Sequence, residues 1–149
     1  MLTIRRGGPD DVVHLASLRF EWRSGERGEK GLDQLSFEQD FKVWTREHEN
    51  SYVPFLAFET ERPVAIAWLA VVDRIPGPEF FVRRSGYVQS VYVVPDRRSQ
   101  GVGTALMEHL VGYARNAELD YLAVHPSERS FEFYRRLGFA PTTKVLELR

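Results

Sequence analysis

The chain lacks cysteine altogether. This absence excludes disulfide bridges, thiolate metal sites and a thiol nucleophile, so covalent catalysis through cysteine is closed to it. An excess of charge of either sign is also missing, because 20 Lys and Arg residues are balanced by 21 Asp and Glu residues. A near-neutral chain gives no support for a nucleic acid or a membrane surface as its partner.

Long hydrophobic runs are absent as well. The longest apolar segment, Val64–Val72, is far too short to cross a bilayer, which takes about 20 apolar residues. The first residues, Met1–Arg6, do not contain the apolar core of a signal peptide. We therefore expect a cytoplasmic protein without a membrane-spanning segment.

The residues that are present fit one domain. The chain has 149 residues, 43% of them hydrophobic, and a domain of this size buries roughly 70% of its unfolded surface. No internal repeat or low-complexity segment interrupts it, so we expect a single domain over residues 1–149. Apolar periodicity and turn residues predict an α/β fold with a mixed central sheet, in the order β-α-α-β-β-β-α-β-α-β.

The elements of this order can be placed along the chain. The predicted strands are Leu2–Arg5, Tyr52–Glu59, Val64–Val72, Gly86–Val94, Tyr121–Val124 and Lys144–Leu148. One predicted helix begins at Pro9. The other predicted helices are Leu35–His48, Val102–Asn116 and Ser127–Leu137.

A strand, a tight glycine loop and the start of a helix form the most informative motif, over residues 88–106. Its core is Arg98-x-x-Gly101-x-Gly103. Backbone N–H groups at such a junction can bind phosphate at the positive end of the helix dipole, and glycine permits close approach. The Gly-Lys-Ser/Thr of Walker A is missing, and so is the third glycine of a Rossmann fingerprint near Leu106. An ordinary tight turn remains the alternative interpretation.

A second motif, Ser127–Phe139, places Tyr134 near the middle of an amphipathic helix that Gly138 ends. A helical tyrosine is most often a core residue with its hydroxyl at the edge of the core. A catalytic hydroxyl is the other interpretation, and the spacing alone does not decide between the two.

Together the two motifs closely resemble those of the GNAT superfamily of N-acetyltransferases, which transfer an acyl group from acyl-coenzyme A to an amine. The family's Arg/Gln-x-x-Gly-x-Gly/Ala loop corresponds to Arg98, Gly101 and Gly103, and its Phe-Tyr-x-x-Leu-Gly-Phe motif corresponds to Phe133–Phe139. The element order also matches, and residues 87–139 are the specific part of the resemblance. It implies a single-domain GNAT-like fold, with a mixed central sheet in which adjacent parallel strands splay apart between flanking helices.

The resemblance also implies acetyl-CoA as co-substrate and assigns residues to it. Tyr134 matches the family's usual general acid, since a tyrosine can protonate the leaving thiolate. Many members carry asparagine where this chain has Ser127, whose hydroxyl reaches less far. The backbone groups expected to pair with the pantetheine arm belong to Val91 and Val93. The loop residues expected to cradle the pyrophosphate are Arg98, Ser99, Gln100, Gly101, Val102, Gly103 and Thr104. Ser127 and Ser130 are the remaining expected coenzyme contacts.

The base that takes the proton from the amine is less evident. The fourth predicted strand offers no carboxylate, so we select His125, just past the next strand, because histidine titrates near neutrality. An ordinary strand-end residue is the alternative interpretation of His125. Glu21 and Glu79 are further candidates, and no spacing among the other histidines indicates a metal site.

We therefore predict an N-acetyltransferase that transfers the acetyl group of acetyl-CoA directly, in a ternary complex, to a primary amine of a small molecule, peptide or protein. Trp22, Phe80 and Phe81 are candidates for lining the acceptor pocket. A catalytically silent acetyl-CoA-binding sensor is the alternative, and a protein-interaction domain with a purely structural glycine loop is a third. A homodimer is a common arrangement among the proteins that the chain resembles.

Overall fold

Five strands form one mixed sheet in which neighbours in space are also neighbours in sequence. The computed structural model describes residues 1–149. The first three strand pairs are antiparallel and the last is parallel, as predicted. The strands are β1 (Leu2–Arg6), β2 (Tyr52–Glu59), β3 (Arg62–Asp73), β4 (Arg84–Val93) and β5 (Leu122–Val124).

Four α-helices cover the sheet: α1 (Val12–Phe20), α2 (Gln34–Glu47), α3 (Val102–Asn116) and α4 (Phe131–Arg136). Trp68 of β3 meets Trp44 of α2 with 6.2 Å between ring centroids, whereas Phe55 of β2 meets Tyr113 of α3 at 5.4 Å. Side chains on strands alternate between faces, so α2 and α3 lie on opposite faces of the sheet. No helix is both long enough and apolar enough to span a lipid bilayer.

The middle of β3 is buried on both faces because helices cover both. Its residues Val64–Leu69 are at most 6% exposed, which explains why this strand is a continuous apolar run rather than an alternating one. The α1 helix continues into a π-helical turn, Glu21–Glu26. This turn packs over the end of β4 that carries the glycine loop.

The parallel pair β4–β5 is short and then opens. Gly86–Val88 pair with Leu122–Val124, and β4 continues to Val93 with no further partner on that side. Gly86 is required at the closed end, where an added Cβ would lie 2.8 Å from Leu119 Cδ1. The splayed parallel strands that the resemblance implied are therefore present, and they leave one edge of β4 open.

The prediction of a last strand over Lys144–Leu148 is wrong. Residues 140–149 have no regular structure and are exposed, with Leu146 97% and Leu148 99% accessible. Apolar residues in a segment indicate which side chains a strand would bury, but the strand itself needs the hydrogen-bonding edge of a neighbour. This segment contacts no such edge.

Candidate active site

The glycine loop joins the open end of β4 to the first turn of α3. Gly101 has a left-handed backbone, with φ of +83°, and its carbonyl accepts the N–H of Ala105 at 3.0 Å. The N–H groups of Val102, Gly103 and Thr104 belong to the first turn of a 15-residue helix and have no carbonyl partner within it. With the helix dipole they form a cradle for an anion.

The approach to this cradle is shaped by a second left-handed residue, Ser99, with φ of +61°. Gln100 holds the turn by donating from Nε2 to the carbonyl of Asp96 at 3.1 Å. A Cβ placed on Gly103 would lie 3.4 Å from Phe133 Cζ and 3.6 Å from a Val93 methyl carbon. The loop, the open end of β4 and α4 therefore come together around Gly103, where an added Cβ would be in van der Waals contact with both neighbours.

Arg98 lies across the open end of β4. Its Nε donates to the carbonyl of Val93 at 2.9 Å, its Nη2 donates to Glu26 at 2.7 Å, and its guanidinium lies 5.5 Å from the centre of the Tyr92 ring. The hydrogen bond to Glu26 raises the pKa of Arg98. The Val93 carbonyl, which the resemblance assigned to the coenzyme, has this arginine as its partner in the structure.

A β-bulge interrupts β4 where it leaves β5. Gln89 pairs with Trp68 and Tyr92 pairs with Ile66, so Ser90 and its neighbour Val91 have no partner of their own on β3. Ser90 has φ of +55°. Bulges of this kind redirect backbone groups at functional sites, and here β5 has already ended on the other side. Backbone N–H and C=O groups are thus available to a ligand at this point.

Tyr134 is a buried side chain with a free hydroxyl. It is 7% exposed, and its ring packs edge-on against Phe133 and Phe139 at centroid distances of 5.0 and 5.7 Å. Its hydroxyl forms no hydrogen bond with the chain, and burial alone raises the pKa of Tyr134 to about 12. The phenol therefore stays protonated throughout the neutral range and has a proton to donate.

The other predicted site residues follow β5. Ser127 and Ser130 lie together, with 3.0 Å between their Oγ atoms, and Ser130 also donates to the Ser127 carbonyl at 3.2 Å. His125 is exposed at the end of β5 and forms no hydrogen bond or aromatic contact. No group of three or more His, Asp or Glu side chains is arranged to hold a metal ion.

On the face that carries α1, the π-helical turn contacts β4. Trp22 stacks on Tyr92 with ring centroids 5.4 Å apart, and the Tyr92 hydroxyl donates to Glu21 at 3.3 Å. Burial is the main cause that raises the pKa of Tyr92 to about 12, and the charge of Glu21 contributes to the same shift. Arg19 reaches the bulge and donates to Ser90 Oγ at 3.0 Å.

The sequence singled out Trp22 and Glu21 but missed Arg19 and Glu26. No motif marks either residue, because both contacts arise from the packing of one element against another. Phe80 lies outside the site. With Phe81 and Glu79 it belongs to the loop between β3 and β4, and this loop leaves the sheet at the end opposite to the glycine loop.

Comparisons with known proteins identify the family. Residues 13–139 match the sequence model of the Acetyltransferase (GNAT) family. The chain is 31% identical over 80 residues to the peptidyl-lysine N-acetyltransferase YjaB of Escherichia coli (strain K12), a match that includes 54% of this chain and 53% of that protein. The matched part of the chain thus spans about half the length of this relative. The uncharacterized N-acetyltransferase MJ1207 of Methanocaldococcus jannaschii is 25% identical over 151 residues, with 92% and 60% of the two chains covered.

Solved structures have the same fold. A predicted acetyltransferase from Clostridium acetobutylicum, crystallised with acetyl-CoA, superposes with a TM-score of 0.80 at 24% identity and covers 100% of this chain and 96% of its own. A GCN5-related N-acetyltransferase from Ralstonia eutropha JMP134 superposes with a TM-score of 0.75 at 25% identity, over 100% and 99% of the two chains. Because the family match extends over most of the chain, the protein belongs to the GNAT family of acetyltransferases.

Proposed function

We propose that this chain is an acetyl-CoA-dependent N-acetyltransferase that transfers the acetyl group directly to a primary amine in a ternary complex. The observation that carries the proposal is one arrangement: the anion cradle of α3 follows the open end of β4, and Phe133, the neighbour of Tyr134 on α4, lies beside both at Gly103. The Clostridium acetobutylicum structure was determined with acetyl-CoA, which supports the same co-substrate here.

The residues present fit this co-substrate. The N–H groups of Val102, Gly103 and Thr104 suit the negative charge of a pyrophosphate. The bulged edge of β4 offers backbone groups of Val91 and Val93 to the amides of the pantetheine arm. The Val93 carbonyl accepts a hydrogen bond from Arg98 and has a second lone pair for an amide of the arm. We propose that the Arg98 guanidinium, which lies beside this carbonyl, approaches the phosphates. Ser99, Gln100, Ser127 and Ser130 are proposed to line the same path.

Acetyl-CoA supplies a thioester, whose C–S bond breaks as the amine nitrogen forms the new C–N bond. We propose that Tyr134 Oη donates its proton to the departing sulfur. Its raised pKa is compatible with this step because the same burial also disfavours the thiolate anion that it protonates. The chain has no cysteine, which removes the acyl-cysteine route, and we propose direct attack by the amine.

The second proton, released by the amine, needs an acceptor. His125 is our proposed base, and it stands at the end of β5 where the parallel strands separate. Glu21 is the competing residue, because it accepts the hydrogen bond of Tyr92 beside the bulge. The pH dependence of kcat in variants of each residue distinguishes the two.

A thioester-cleavage assay across a library of primary amines, followed by mass analysis of the products, tests the proposed function. We expect coenzyme A to be released in step with an amine that has gained one acetyl group. Binding of acetyl-CoA without its consumption by any amine would instead favour the silent sensor.

The acceptor classes to include are small amines and peptide lysines. The named activity of the Escherichia coli relative is directed at peptidyl lysine, which supports adding lysine peptides to the panel. The homodimer and the cytoplasmic location stay predictions, and light scattering of the purified protein tests the homodimer.

A further inference from the structure

An arginine lies beside the point where β4 separates from β5. Arg19, in the last turn of α1, donates from Nη1 to Ser90 Oγ at 3.0 Å. Ser90 belongs to the β4 bulge and precedes Val91, whose backbone we propose to pair with the pantetheine arm. The guanidinium therefore lies next to the place where an acyl group held along β4 would meet its acceptor.

No carboxylate pairs directly with Arg19, and the charge of Glu29, which pairs with Arg23, acts on it from beyond 4.0 Å. None of the chain's ion pairs within 4.0 Å includes Arg19. Burial lowers the pKa of the Arg19 guanidinium, and the positive charge of Arg23 lowers it further. Placing a half-buried guanidinium beside a neutral hydroxyl is unfavourable unless an anion joins it.

A second arginine stands one turn further on the same side. The guanidinium groups of Arg19 and Arg23 lie 5.3 and 5.5 Å from the centre of the Trp22 ring, and this indole stacks on Tyr92 of β4. Arg23 is paired with Glu29, but its Nε is buried and has no hydrogen-bond partner. The guanidinium groups of Arg19 and Arg23 thus both lie near the Trp22 ring, and both have N–H donors without an acceptor in the chain. A planar guanidinium can bind a carboxylate through two parallel hydrogen bonds.

We propose that the acceptor is a small amine that also carries a carboxylate, and that Arg19, assisted by Arg23, binds this carboxylate. The inference rests on the proposed function and adds the substrate class. Glu21, on the same turn, lies beside the bulge through its contact with the Tyr92 hydroxyl. The site therefore presents a carboxylate to the ammonium group of such a substrate and guanidinium groups to its carboxylate.

Matched amines that differ only in the carboxylate test the inference. The pairs are tyramine and tyrosine, histamine and histidine, agmatine and arginine, and cadaverine and lysine, with Nα-acetyl-lysine amide as a neutral mimic of a lysine side chain in a peptide. Coenzyme A release is measured for each over a range of amine concentrations. We expect the carboxylated member of at least one pair to have a kcat/KM about tenfold or more above that of its partner and of the lysine mimic.

Variants of the arginines separate recognition from folding. Arg19→Gln is expected to raise the KM of the carboxylated amine about tenfold or more, while the KM of the neutral amine and of acetyl-CoA stay within about twofold. Arg19→Lys keeps the charge and should restore part of the affinity, and Arg23→Gln should have a smaller effect in the same direction. Arg27→Gln is the control, since Arg27 is exposed on the same segment and makes no ion pair.

Each outcome bears on the inference. Equal use of carboxylated and neutral amines, or an Arg19→Gln variant that weakens both equally, would overturn it and leave Arg19 as a residue that fastens α1 to β4. The acetyltransferase proposal would survive either result. Failure of every amine to consume the thioester would overturn the proposed function, and the inference with it.

Discussion

Tyr134 combines two properties that a packing residue rarely has together. Its ring is buried between Phe133 and Phe139, yet its hydroxyl forms no hydrogen bond with the chain. The oxygen itself is not enclosed, because the buried side-chain atoms without a partner are Arg23 Nε and Ser85 Oγ. The hydroxyl is therefore open to a ligand atom, as the proposed general acid requires.

Tyr134→Phe keeps the ring and removes only this hydroxyl. We expect the single-turnover rate to fall by about 10² to 10⁴, the usual contribution of general acid catalysis, while the Kd for acetyl-CoA and the melting temperature change little. Phe133→Leu is a matched control for packing on the same helix. A Tyr134→Phe enzyme that acetylates at the parent rate would leave Tyr134 as a core residue.

The identity of the base is tested by the pH dependence of kcat. If His125 accepts the amine proton, His125→Ala should lower kcat and abolish the acidic limb of the profile. If Glu21 does so, Glu21→Gln should lower kcat and His125→Ala should keep the parent profile. If His125→Ala and Glu21→Gln both keep the kcat and the pH profile of the parent, neither residue is the base. An ordered water would then be the favoured acceptor of the amine proton.

At the scale of elements, a side-chain pair fastens β1 to the start of α1. Asp11 is 5% exposed, binds Arg5 with both oxygens and accepts the N–H of Gly8 at 2.8 Å. The hydrogen bonds from Arg5 are the main reason that the pKa of Asp11 lies below its usual value. This carboxylate thus stabilises the fold above its unfolded pKa, and the contribution is lost as the pH falls through the folded value.

Asp11→Asn should therefore lower the free energy of unfolding at pH 7 by about 1 to 3 kcal/mol. Arg5 is about half exposed, so the lower end of this range is expected. Urea unfolding at pH 7 and at about pH 3 measures the effect, and the gap between parent and variant should narrow in acid. Asp10→Asn, at the exposed neighbour, is the control. A gap that stayed constant with pH would contradict the role of the charge.

The contact between the glycine loop, β4 and α4 gives a second prediction at this scale. Gly103→Val adds methyl groups where a Cβ alone would already touch Phe133 at 3.4 Å. We expect the folded variant to bind acetyl-CoA at least about tenfold more weakly, or roughly 1.4 kcal/mol, by calorimetry. Gly112→Val is the matched control in the same helix, because an added Cβ there meets nothing within 4 Å. If Gly103→Val binds acetyl-CoA as tightly as the parent, the glycine loop is not part of the coenzyme site.

At the scale of the whole molecule, two buried tyrosines limit stability in alkali. Burial raises the pKa of Tyr92 and Tyr134 to about 12, whereas tyrosine in an unfolded chain titrates near about 10. Because the folded state disfavours the phenolate, the contribution of each tyrosine is complete below about pH 10 and is lost as the pH rises from there to about 12.

For Tyr134 this loss amounts to about 1.4 kcal/mol at pH 11. Urea unfolding at pH 8 and pH 11 should show the parent losing more stability than Tyr134→Phe, by about this amount. Tyr52→Phe serves as the comparison variant. An identical loss in the parent and in Tyr134→Phe would mean that the hydroxyl reaches solvent more freely than the structure indicates.

Local patterns in the sequence were enough for most of the architecture and for the elements that carry the candidate site residues. The apolar run Val64–Val72 predicted a strand, which is β3, and Arg98-x-x-Gly101-x-Gly103 predicted the loop before α3. The spacing to Gly138 predicted the helix around Tyr134, although its first residues form a 3₁₀ turn. In each case the governing physics is carried by residues close in the chain: hydrophobic periodicity, glycine geometry and helix capping.

Tertiary structure alone decided which distant residues meet. The predicted last strand is missing because a strand depends on the edge of a neighbour, which no pattern within 144–148 can specify. Arg19 beside Ser90, and Glu26 beside Arg98, are pairs 71 and 72 residues apart in the chain. They lie together because α1 and its π-helical turn pack across β4, and this packing depends on the shape of the whole core rather than on any local signal.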